Sequence, residues 1–288
     1  MSTPAATPPP RRRRSSTPWL RITLLTAAGI ATLYPLLWMV ASSLKPEGEI
    51  FTSPGLWPSE FVWQNYTDGW NAMEFSFGRF FLTTFVICAL SVVGNVIACS
   101  MAGYAFGALD FLGRRVMFAV MLGTLMLPLH ATIVPQYIAF RQLGMVGSIL
   151  PLVLPKFFAV DAFFVFLVTQ FVRGLPKELF EAARIDGAGA VRMYRSVVLP
   201  LITPALITIS IFAFIWTWND FFSQLVYLTR PEQYTVSLGL RLFLDATGVS
   251  KYGPMFAMAT LALIPTTVVF LIFQRRLVEG VATTGLKG

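Results

Sequence analysis

Residues 80–106 contain no charged side chain. As a helix that run is about 40 Å long, and about 20 predominantly apolar residues suffice to cross the hydrocarbon core of a bilayer. In water, a helix apolar on every side has to be buried on every side. Five further apolar blocks have comparable length, at residues 22–44, 116–140, 149–172, 200–222 and 255–273. Of the 288 residues 56% are hydrophobic, only 12% are charged and 26 are Phe, which sets the chain apart from soluble domains. The expectation is an all-α integral membrane protein with six transmembrane helices.

Loop charge orients it, because Lys and Arg are retained on the cytoplasmic side. With the amino terminus inside, the inner segments hold Arg11 to Arg14, Arg21, Arg114, Arg115, Arg173, Lys177, Arg184, Arg192, Arg195, Arg275, Arg276 and Lys287. The outer segments hold only Lys45, Arg79, Arg141, Arg230, Arg241 and Lys251. Both termini are therefore expected in the cytoplasm. The net charge of +8 does not point to nucleic acid, since the basic residues lie scattered between apolar blocks and form no continuous face. Residues 1–20 are rich in Pro and Arg and are expected to be a disordered basic tail against anionic headgroups, with 21–288 as the transmembrane domain. The apolar run after Trp19 is too long for a secretory signal and reads as an uncleaved first span. The outer segment 45–79 has room for a short helix at about 63–73.

Several chemistries lack their parts. Cys88 and Cys99 would lie roughly 16 Å apart on one helix, beyond disulfide reach, and read as small buried side chains. His130 is the single histidine, so a metal site has no second imidazole. No G-x-x-x-x-G-K-[ST] loop and no G-x-S-x-G elbow occurs, so neither P-loop nucleotide binding nor a catalytic site is expected.

Residues 173–199 differ from everything around them. Lys177, Glu178, Glu181, Arg184, Asp186, Arg192 and Arg195 would each cost kilocalories in hydrocarbon, so this stretch cannot span. Its pattern predicts two short helices. Pro176 suits a first helical position, and Leu179, Ala182 and Ala183 make one apolar stripe. Gly187, after Asp186, can take the left-handed conformation that ends a helix. Beyond it Val191, Tyr194 and Val198 repeat at helical spacing, and Pro200 opens the fifth block. Ala182, Ala183, Gly187, Ala188, Gly189 and Ala190 leave little bulk at the turn, so another surface can approach it closely. Fixed between two spans, such a hairpin is a handle by which a partner can move both; the alternative is a hairpin resting in the headgroup layer.

The run EAARIDGA at 181–188, followed by Leu199 and Pro200, resembles the EAA signature of permease subunits of bacterial ABC importers. WNDFFSQLVYL at 218–228, MLPLHATIVPQY at 126–137 and the ending FQRRLVEGVATTGLKG are similar to the carbohydrate-uptake branch, in particular the MalG-like member of a permease pair. The resemblance covers most of the chain from about Ile22 onward. It implies a type I importer permease fold whose coupling helices dock in a cleft of a cytosolic ATPase through Glu181, Ala182, Ala183, Asp186, Gly187 and Ala188, with added contact from the end beyond Arg276. It also implies a second permease subunit in a heterodimer, two ATPase subunits that carry ATP and Mg, and an extracytoplasmic sugar-binding protein. On this reading the chain itself is no enzyme and holds no cofactor. The competing class is an autonomous ion-coupled transporter or channel, disfavoured because Asp161 is nearly the whole deep ionisable inventory.

Three places are candidates for a substrate path or gate. Trp216, Trp218, Asn219 and Asp220 offer indole faces and polar groups suited to a sugar, although the same position suits an interfacial aromatic belt. In the branch resembled, the partner permease often holds most substrate contacts. Asp161 either lines a cavity or, with the helix restarting after Pro155, moves with Lys156 to the outer boundary; about 140° of helical rotation separates the two, so a direct pair is not expected on one regular face. His130, beyond Pro128 and near Thr132 and Gln136, suits a polar cavity wall or an interhelical hydrogen bond.

Overall fold

A computed structural model of the chain describes residues 18–244 and 250–285, with the side chains of 18, 129 and 275–285 outside that description. The described residues are helical, without strands. The α-helices are α1 (Pro18–Ser42), α2 (Gln64–Trp70), α3 (Gly78–Ala108), α4 (Arg114–Thr124), α5 (Leu129–Gln142), α6 (Leu150–Val153) and α7 (Ala162–Arg173). They are followed by α8 (Lys177–Ile185), α9 (Ala190–Met193), α10 (Leu199–Leu201), α11 (Thr203–Asn219), α12 (Phe222–Tyr227), α13 (Val236–Arg241) and α14 (Tyr252–Gly285). The expected basic tail lies outside the described residues up to position 17, and residues 18–20, expected in that tail, instead open α1.

Four stretches are long and apolar enough to cross a bilayer, Trp19–Ser42, Gly78–Ala108, Leu150–Arg173 and Tyr252–Gln274. A fifth forms if Ala190–Leu201 and Thr203–Asn219, bent by 75° at Ile202, count as one span. The bend has a local cause. Pro204 has no N–H to give the Pro200 carbonyl, which accepts the Thr203 hydroxyl at 2.8 Å instead. The block expected as a third continuous span, 116–140, is divided into α4 and α5, because Pro128 disfavours helical geometry in the residue before it. Neither half alone reaches spanning length.

Helix α3 is the axis of the molecule, with α7 and α11 packed along its flanks. At its carboxyl end Cys99 and Tyr104 meet Val165, Val168 and Val172 of α7, Ile202 at the bend and Ile209 of α11. At its amino end Phe80 and Cys88 meet Trp218, Val236 and Met258. Much of the inner face of α3 is small or polar, with Thr84, Ser91, Asn95 and Ser100 buried beside Phe80, Ile87 and Tyr104, while Leu82, Val93, Ile97 and Met101 are exposed. That reversal suits lipid surroundings, where small side chains let helices approach and bulky apolar ones face acyl chains. Cβ atoms at Gly103 and Gly107 would stand 2.5 and 2.6 Å from Val168 and Val172, so the α3–α7 seam closes only with glycine there.

Candidate functional site

The hairpin predicted between the fourth and fifth blocks is present as α8 and α9, followed by one π-helical turn at Tyr194–Val198 and by α10. Pro176 sits immediately before α8 in extended geometry, Glu178 lies in the first turn and Arg184 in the last, each sign complementing the helix dipole. Asp186 caps the end and Gly187 adopts φ +74°, as its position after Asp186 predicts. Its N–H donates to the Arg184 carbonyl at 3.0 Å, and the Ala188 N–H reaches back to the Ala183 carbonyl at 2.9 Å. These two bonds form a Schellman closure, which satisfies carbonyls that would otherwise be orphaned.

The apolar stripe expected from Leu179, Ala182 and Ala183 is split by the fold. Ala183 is buried and Phe180 packs on the core, whereas Leu179 and Ala182 face outward with Ile185, which is 86% exposed. Val191 likewise points out, while Met193 and Val198 point in. Glu181, Asp186 and Gly187 are exposed and Ala188 is half-buried. No neighbouring atom lies within 4 Å of a Cβ built at Gly187 or Gly189, so the turn stands open to an approaching surface.

Two tyrosines seat this elbow on the end of α3. Tyr104 donates its hydroxyl to the Ala190 carbonyl at 3.1 Å, and the Ser100 and Tyr194 hydroxyls share a hydrogen bond of 2.7 Å. The two tyrosine rings lie 5.5 Å apart. Sequence periodicity read Tyr194 as one apolar position in a stripe; its hydroxyl contact spans 94 positions of sequence and has no local signature.

The candidates at the far end of α11 separate. Trp218 is 4% exposed, donates its indole N–H to the Ala262 carbonyl at 3.1 Å and packs on Phe85 and Phe214, so it holds α11 to α14 and α3. Trp216 is 48% exposed and stacks on Phe164 of α7 at 5.1 Å. Asn219 is exposed and donates to the Ile215 carbonyl, and Asp220 accepts the Ser223 N–H at 3.1 Å, capping α12. His130, also exposed, sets its ring 4.8 Å from Phe222, which brings α5 to the turn that follows Asp220.

Asp161 and Lys156 correct the expectation drawn from regular helical rotation. The Lys156 ammonium lies 3.0 and 2.9 Å from the two Asp161 oxygens. The chain between them is not one helix: a 3₁₀ turn through Pro155 ends at Ala159, which adopts φ +54°, and α7 starts after Asp161. The break folds the two charges onto each other, about one helical turn before Phe164, on which Trp216 stacks.

The description "binding-protein-dependent transport system inner membrane component" belongs to a family whose pattern matches residues 94–283, which include the whole elbow. The chain belongs to that family. It is thus a multi-pass membrane component of a transport system. Among its relatives, the diacetylchitobiose uptake system permease protein NgcG of Streptomyces coelicolor is 29% identical over 90% of this chain and 85% of that protein. The arabinooligosaccharides transport system permease protein AraQ of Bacillus subtilis is 29% identical over 89% of this chain and 91% of its own length. In fold, the chain is similar to one from the crystal structure of a bacterial ABC transporter involved in the import of the acidic polysaccharide alginate. The TM-score is 0.80 at 22% identity, covering 92% of this chain and 99% of that one.

Proposed function

We propose that this family member is one permease subunit of an ATP-driven sugar importer, set in the cytoplasmic membrane with both termini in the cytoplasm. Its partners are a second permease subunit in a heterodimer, two ATPase subunits that bind ATP and Mg, and an extracytoplasmic binding protein that selects the sugar. The oligosaccharides named for the matched relatives support a sugar as cargo.

The observation that carries this reading is the elbow: a glycine-closed turn with an open surroundings, outward-facing Leu179, Ala182 and Ile185, and a hydroxyl-linked seat on α3. Glu181, Ala182, Asp186, Gly187 and Ala188 meet the ATPase directly, and Ala183 supports them from the inner face. Closure of the ATPases around ATP draws paired elbows together and turns α11 and α3, opening the site outward; hydrolysis resets it. At the other end Trp216, Asn219 and His130 border the path, Asp161 is held neutralised by Lys156, and Trp218 and Asp220 fix the local geometry. The paired state of Asp161 also argues against the ion-coupled alternative, which needs a titratable group free to exchange its ion.

The test is uptake in proteoliposomes. Transport of the sugar that stabilises the co-purified binding protein should require ATP inside and all subunits. Uptake by this chain alone, driven by a proton or sodium gradient, would overturn the proposal.

A further inference from the structure

The segment after α1 turns back along the helix it has just left. Phe51 packs on Trp38 of α1 at 6.2 Å between ring centroids and, edge-on at 4.8 Å, on Tyr252 at the start of α14. Three residues later the Pro54 carbonyl accepts the hydroxyl of Tyr34, one turn deeper than Trp38. Tyr34 lies eight residues before the end of α1, roughly 12 Å down the helix. The contact of Trp38 with Phe256, one turn inside α14, sets the level from the second helix.

The carbonyls along this descent are capped by side chains. Lys45 has no exposed surface and donates its ammonium to the Ser53 carbonyl at 2.8 Å and the Gly55 carbonyl at 2.6 Å, with Tyr34 serving Pro54 between them. In water three successive carbonyls need no such service, and burying a lysine to supply it is costly. In a bilayer each carbonyl needs an internal donor. The loop is sorted by edge as well. Phe51, Leu56 and Trp57 are exposed, Trp57 at 80%, while Glu47 accepts the N–H groups of Tyr252 and Gly253 and Glu49 accepts the N–H and hydroxyl of Ser59.

We propose that residues 50–57 are a lipid-inserted wedge, occupying the leaflet opposite the elbow, with Phe51, Leu56 and Trp57 among acyl chains and Lys45 as its internal donor. The wedge adds contacts through Tyr34 and Trp38 to α1, which packs chiefly on α14 among the described residues. This reading does not depend on which side of the membrane is cytoplasmic, nor on the cargo.

Trp57→Cys, carrying an environment-sensitive fluorophore on the full-length chain in nanodiscs with its co-purifying subunits, tests it; Cys88 and Cys99 are fully buried and stay unlabelled. Doxyl-labelled phosphatidylcholine should remove most of the emission and aqueous iodide little, whereas the same label at Asp68→Cys should respond the opposite way. Stronger quenching by iodide than by doxyl lipid at position 57 overturns the proposal, as does shielding that arises only when an extracytoplasmic binding protein is added. In a Lys45→Met background the label should become open to iodide; unchanged protection there would remove Lys45 from the wedge.

Discussion

Glycine serves opposite purposes in two regions beside the carboxyl end of α3. At Gly103 and Gly107 a side chain is excluded by α7, which comes so close that a Cβ would overlap Val168 or Val172. At Gly187 nothing stands within 4 Å, and glycine is present because the chain must turn with φ +74°. The first use brings two helices together; the second sets the direction in which the elbow points. Damage at the seam should therefore appear as loss of the folded chain, and damage at the elbow as loss of transport by a chain that still folds.

The largest effect on folding is expected from Gly103→Leu. Overpacking of this kind costs typically 1–3 kcal/mol and more where backbone is in the way, as the Thr169 nitrogen is here at 3.1 Å. Detergent-extracted protein should be scarce or aggregated in size-exclusion chromatography. Gly103→Ala should be partly rescued by Val168→Ala, and a Gly103→Leu chain that melts like the parent would mean that the seam is looser than described.

Gly187→Val comes next. A left-handed conformation costs a non-glycine residue about 1–2 kcal/mol, more for a branched one, and here the strain stays in an exposed turn. Membrane insertion and thermal melting should stay close to the parent, while uptake is lost and ATPase recovery on pull-down falls. Gly187→Asn, which tolerates that conformation, should retain part of the activity.

Tyr194→Phe probes the join between the two regions. Removing the hydroxyl that meets Ser100 should cost about 1 kcal/mol and loosen the elbow from α3. The expected signature is ATP hydrolysis that persists with less uptake per ATP. A double cycle with Ser100→Ala should be non-additive; additive losses would separate the two groups energetically.

The smallest effect on stability belongs to Ile185→Ala, at an exposed side chain, which should stay within about 0.5 kcal/mol of the parent by thermal melting. Uptake should nevertheless fall. Undiminished uptake would place the docking contact elsewhere on the elbow.

The sequence revealed the apolar blocks and the elbow because both are local patterns: a long run without charge, and a charged hairpin ended by Asp186 and Gly187. The helix expected at about 63–73 appears as Gln64–Trp70 for the same reason. What stayed hidden depends on residues meeting across the fold. The split of 116–140 turns on Pro128, and a proline within an apolar block can kink a helix without ending it, so hydropathy alone reads one span there. The Lys156–Asp161 pair required the left-handed Ala159, and alanine gives no warning of that conformation. The Leu179 stripe failed because helical spacing identifies a shared face without saying whether core or partner covers it. Trp216 and Trp218 look alike in sequence, yet two residues of rotation put one indole at the surface and the other against Ala262.

The 75° angle at Ile202 makes the elbow a crank. Its short arm lies across the axis of α11, and the Thr203 hydroxyl on the Pro200 carbonyl braces the corner. A sideways shove on such an arm turns the long shaft, while thrust along the shaft finds no leverage. An arm set at that angle converts a sideways load into torque about the shaft.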